Sequence, residues 1–91
     1  MQYNWNSEKN KQLQKERGVS FADVVEAVSK GGTLADMVHP NKEKYSHQHL
    51  LIVKIKGYAY VVPYVVEEDG TKFLKTIYPA RKANKKYLSK S

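Results

Sequence analysis

The chain has 91 residues, enough for one domain, residues 1–91, with a modest core. It contains no cysteine, which excludes a disulfide framework, a thiolate nucleophile and a cysteine-based zinc site. Its formal charge is +7, from 16 basic and 9 acidic side chains, and its longest apolar stretch, Tyr58 to Val66, is too short for a membrane helix. No apolar segment of the signal-peptide kind follows Met1-Gln2-Tyr3-Asn4-Trp5. The composition therefore predicts a small soluble cytoplasmic domain.

Tyr3-Asn4-Trp5 alternates and predicts a short first strand. Ser7 is the expected N-cap of a helix running to Arg17 and ended by Gly18. Leu13 is its only strong apolar residue, so it should lie on the surface, held at one edge. A second helix has a clearer start. Ser20 caps it, Asp23 stands at its third position, and Val19 and Val24 are placed to staple the entry. Phe21, Val24, Val25 and Val28 make one apolar stripe, and Gly31-Gly32 ends the helix. Such a stripe predicts a helix lying on a sheet face.

Thr33 to Gln48 reads as a long connection, in which Leu34, Met37 and Val38 fit a turn or a short strand. Leu50 to Lys56 then alternates, with Leu51, Val53 and Ile55 on one face, and Gly57 marks a tight turn. Tyr58 to Val66 is the next strand, with Tyr58, Tyr60, Val62, Tyr64 and Val66 on one face and Ala59, Val61 and Val65 on the other. Pro63 cannot donate to a ladder and predicts an edge or a bulge. Glu67-Glu68-Asp69-Gly70 is a hairpin loop, Lys72 to Tyr78 the last strand, and Ala80 to Lys90 a terminal helix. The order β-α-α-β-β-β-α predicts an α+β fold, a small antiparallel sheet with helices packed on it.

Charge is not spread evenly over these elements. Lys72 to Ser91 holds seven Lys or Arg and no acid, whereas the first 71 residues hold nine of each sign. A located positive field of this kind suits a phosphate backbone. On the terminal helix Arg81 offers a bidentate fork, and Lys82, Lys85 and Lys86 add point charges. Lys54, Lys56 and Lys75 are further cations available from the sheet. The expectation is a single anion-receiving surface where the last strand meets its helix; the bland alternative is a solvated basic helix.

Seven tyrosines are many for this length. Tyr60 belongs in a core beneath the amphipathic helix, while Tyr64, Tyr78 and Tyr87 are candidates to stack on bases or line a groove. The histidines, His39, His47 and His49, all lie in or beside the long connection. His47 and His49 have the spacing of two ligands but no evident third, so no metal site is expected. As imidazoles they suit proton transfer, or are simply solvated. No Gly-rich phosphate loop, Ser-His-Asp order or paired-carboxylate motif is present, and no cofactor is implied.

Five pieces carry a family likeness: Tyr3-Asn4-Trp5-Asn6-x-x-Lys9-Asn10, Arg17-Gly18-Val19-Ser20-Phe21, His39-Pro40-Asn41, Gly57-Tyr58-Ala59-Tyr60-Val61-Val62-Pro63, and Lys75-Thr76-Ile77-Tyr78-Pro79-Ala80-Arg81-Lys82-Ala83-Asn84-Lys85-Lys86-Tyr87. Over nearly its whole length the chain resembles the BrnT-like toxins of bacterial type II toxin–antitoxin systems, a branch of the RelE-like ribonuclease superfamily. The resemblance implies a RelE-like fold and a metal-independent endoribonuclease that cleaves mRNA by 2′-hydroxyl attack and halts translation. It implies electrostatic stabilisation by Arg81 and Lys82, with proton transfer by Tyr87, His47 or His49. It also implies a cognate antitoxin, often with a ribbon-helix-helix half that contacts DNA. Tyr58 and Val65-Val66 stand where many members of the broader family carry arginine, so Arg81 is the only arginine of the C-terminal half. Two other readings use the same basic tail: a non-catalytic nucleic-acid-binding module, and an interaction protein for an acidic partner.

Overall fold

The computed structural model describes residues 2–88. Its elements run β1 (Tyr3–Trp5), α1 (Ser7–Arg17), α2 (Phe21–Ser29), β2 (Thr33–Val38), β3 (Gln48–Ile55), β4 (Tyr58–Val66), β5 (Lys72–Leu74), β6 (Tyr78–Pro79) and α3 (Arg81–Leu88). Ser89 and Lys90, included in the expected last helix, lie outside the described residues.

Local chemistry sets the two N-terminal helices. Asn6, not Ser7, caps α1: its side chain accepts from the Lys9 N–H. Asn6 has the extended backbone a cap requires, while Ser7 is already helical. Gly18 ends α1 in the left-handed conformation at φ 68°, which a side chain would resist. The Ser20–Asp23 capping box of α2 forms in both directions, at 3.1 and 2.9 Å. Val19 and Val24 are both buried beside it. The Phe21 N–H donates to Asn10 Oδ1 at 2.8 Å, fixing α1 to α2.

The sheet is mixed, in the order β1-β5-β4-β3-β2, with β6 pairing β4. Two expectations are corrected here. β1 pairs with β5 in parallel, Tyr3 opposite Lys72, so the sheet is not purely antiparallel. Thr33–Val38, the start of the expected long connection, where a turn or a short strand was allowed, is a full strand antiparallel to β3. The β3–β4 hairpin turns at Lys56 and Gly57, both at positive φ (53° and 80°), the signature of a type I′ turn matched to strand twist.

Pro63 lies within the sheet, opposite Leu50 on β3. Its carbonyl accepts from the Lys75 N–H at 2.8 Å, so its missing donor faces the same side. There the partner segment bulges. Leu74 and Tyr78 are four residues apart, while their β4 partners Tyr64 and Val61 are three apart. The single strand expected over Lys72 to Tyr78 is therefore broken into β5 and β6 at the place where β4 has no hydrogen to give.

Helices cover both faces. Leu13, Val19, Phe21 and Val24 pack with Leu51, Val53, Ile55, Val62, Tyr64, Leu74 and Ile77 on one side. On the other, Ile52, Ala59 and Val61 carry Ala80, Ala83, Tyr87 and Leu88. Ala59 anchors α3 through its backbone. Its carbonyl accepts from the Ala80 N–H and its N–H donates to Asn84 Oδ1, each at 3.0 Å. Ala59 is fully buried, so losing the Asn84 acceptor would leave a donor unpaired at a cost of about 1–3 kcal/mol. Among the described residues no helix is long and apolar enough to cross a membrane.

Candidate functional site

The sequence of α3 divides by helical period. Ala80, Ala83, Tyr87 and Leu88 dock on the sheet, and Asn84 bonds to it. Arg81, Lys82, Lys85 and Lys86 fill the remaining positions and are all exposed. α3 holds no acidic residue, and neither ion pair among the described residues, Lys30–Glu26 or Lys72–Asp36, involves it. Arg81 and Lys82 sit in the first turn, where the helix dipole already repels cations. Lys54 stands beside this end, opposite Ala59 in the β3–β4 register. An anion arriving there would relieve like-charge repulsion and meet a guanidinium fork.

This cationic surface is the outward side of a helix. Of the hollows, one between α2 and the end of β3 is lined by Lys54 of this group together with Asp23, Glu26, Lys30, Gly32 and Lys56; the others lie at the Glu67–Asp69 loop and at α1 with Phe73 and Lys75. Tyr78 is exposed on β6, and Tyr87 is half-buried against the sheet with Lys86 Nζ 5.3 Å from its ring centre. Lys56 turns away from α3 and donates to the Gly18 carbonyl at 3.2 Å. Lys75 extends over Phe73 near α1.

The remaining candidates gather on the opposite face of the sheet. Tyr64 is 3% exposed, so its ring is closed to a base. Its hydroxyl donates to Asp36 Oδ1 at 2.7 Å, His49 stacks on it at 5.0 Å and 15°, and Lys72 Nζ lies 5.0 Å from its ring centre. Lys72 also reaches Asp36 Oδ2 at 3.7 Å. Asp36 and Lys72 complete a polar group that the sequence reading missed. No local motif marks it, because its members come from β2, β3, β4 and β5 and meet only through sheet register. His47 is exposed in the turn before β3 and does not join His49. The expected single site is thus two groups, Arg81, Lys82, Lys85, Lys86 and Lys54 on one side and His49 with Tyr64 on the other.

Burial, reinforced by the Asp36 carboxylate, pushes the Tyr64 phenol well above its ordinary value of 10.0. The folded state therefore keeps this proton more tightly than the unfolded chain. The resulting stabilisation is complete below pH 10 and is lost as pH rises beyond it. Tyr64→Phe should lower stability at neutral pH by about 1–2 kcal/mol through the lost hydrogen bond. It should also flatten the alkaline decline, as read by urea unfolding of both proteins at matched pH.

Among the described residues no three His, Cys, Asp or Glu side chains are grouped so as to hold a metal. Comparison with protein-family models, with curated proteins and with solved structures found no match.

Proposed function

We propose that the chain is a metal-independent endoribonuclease toxin of a type II toxin–antitoxin system, RelE-like in fold, acting on mRNA in the cytoplasm. One observation carries the reading. The exposed side of α3 presents Arg81, Lys82, Lys85 and Lys86 with no carboxylate against it among the described residues. Four cations and no acidic residue on one docked helix support a polyanionic partner. The motif resemblance across Tyr3–Asn10 and Lys75–Tyr87 supplies the reaction class. The cognate antitoxin, of ribbon-helix-helix type, would neutralise this surface and bring the only DNA contact.

Expression in a bacterial host tests the reading. Growth should stop, cellular mRNA should fragment, and coexpression of the protein encoded by the adjacent gene should restore both. Normal growth with intact mRNA at verified expression contradicts it. The outward, convex setting of the α3 cations favours one second reading, a module that binds RNA without cutting it. That module would give steeply salt-dependent affinity and no fragments.

A further inference from the structure

The three histidines differ in what holds their rings. His39 is spent: its Nδ1 accepts from the Asn41 N–H at 3.0 Å and its ring packs on Tyr45. His47 is exposed in a turn. His49 is half-buried, fixed by its stack on Tyr64, and neither of its nitrogens is hydrogen-bonded to a described residue. An imidazole with a fixed plane and unspent nitrogens is the form general acid–base chemistry needs.

Its surroundings form a diagonal row across the sheet: Tyr3 pairs with Lys72 and Tyr64 with His49, while Lys72 stands two positions from Leu74, the partner of Tyr64, and Asp36 two positions from Val38, the partner of His49. Lys72 and Asp36 stand three strands apart and on opposite sides of the Tyr64–His49 pair along the strands, roughly 20 Å on a flat sheet, yet their side chains come within 3.7 Å. The Asp36 carboxylate divides its oxygens, one to the Tyr64 hydroxyl and one toward Lys72. Those bonds fix the ring beneath His49 and the ammonium beside it. Tyr64 keeps its own proton for Asp36, which leaves His49 as the proton carrier of the row.

Resting on the ribonuclease reading above, we infer that cleavage takes place at this row. His49 is the proton-transfer residue, and Asp36, Tyr64 and Lys72 are positioning residues. The α3 cations grip flanking RNA from the other face. In the step, the substrate 2′-oxygen bonds to phosphorus as its proton passes to the His49 imidazole. The bond from phosphorus to the 5′-oxygen breaks, and its electron pair leaves on that oxygen, which takes a proton from water. The products are a 2′,3′-cyclic phosphate and a 5′-hydroxyl.

The test uses the full chain and a mixed-sequence single-stranded RNA oligonucleotide in chelator. His49→Ala and His49→Gln should lower kcat on the order of a hundredfold with KM unchanged. Added imidazole should recover part of the loss in His49→Ala, which a purely structural defect would not allow. Asp36→Asn should lower kcat with KM unchanged while retaining an acceptor for Tyr64. Parental kcat in both His49 variants, or a loss in His49→Ala that imidazole does not touch, overturns the assignment and leaves the ribonuclease reading standing. A parent protein that leaves the RNA whole overturns both.

Discussion

Phe21→Ala is expected to cost about 3–5 kcal/mol of folding stability, the usual penalty for emptying a closed aromatic site. Phe21 is 0% exposed and stacks on Trp5, ring centres 5.7 Å apart. It joins β1, α1 and α2 at one point, because its own N–H is held by Asn10. A domain of this size has roughly 5–15 kcal/mol in total, so the variant should sit near the edge of folding. Melting should fall by roughly 15–30 °C, read by circular dichroism. A fall of only a few degrees would mean that the α1–α2 layer can repack, contrary to the tight core described.

Arg81→Ala should weaken RNA binding by roughly ten- to a hundredfold, the worth of one charge-assisted contact to phosphate. The slope of log affinity against log salt should decrease by about one, and sequence preference should not change. Stability should rise slightly, by a few tenths of a kcal/mol, because Arg81 opposes the dipole of α3 in its first turn. Under the inference made for His49, KM carries the loss and kcat is spared. Lys30→Ala is the control. Lys30 is already paired with Glu26 at 2.8 Å, so its removal should leave affinity unchanged. Equal affinities for parent and Arg81→Ala across a salt series would remove α3 from the RNA-binding surface.

What could be read from the sequence was what neighbouring residues decide. The capping box at Ser20 and Asp23, the staple of Val19 and Val24, and the glycine stop at Gly18 are each set within a few positions, and each formed as expected. The alternation of Leu51, Val53 and Ile55, and of Tyr60, Val62 and Tyr64, grouped each set on one strand face; both faces lie in the core beneath α1 and α2, including Tyr64, which was expected to line a groove. β2 was legible only as a turn or a short strand, because Thr33–Val38 lacks clean alternation and is interrupted by a register shift near its start. The parallel pairing of Tyr3 with Lys72 spans most of the chain and leaves no local trace. Pro63 announced an irregularity but could not say which neighbouring strand would supply it.

The candidate site was legible to the same degree. The cations of α3 were visible as a run, and their common exposed face follows from helical period alone. The second group was not visible. Asp36 looked like part of a connection and Lys72 like one more basic residue, and only strand pairing across the sheet brings them to Tyr64 and His49.

The central claim is that this small basic domain cuts RNA using its own side chains. Incubation of the purified chain with single-stranded RNA in excess chelator, followed by analysis of the product ends, tests it most directly. The account predicts fragments ending in 2′,3′-cyclic phosphate and beginning with 5′-hydroxyl. Full-length RNA recovered at every protein concentration, despite saturable binding, would contradict it.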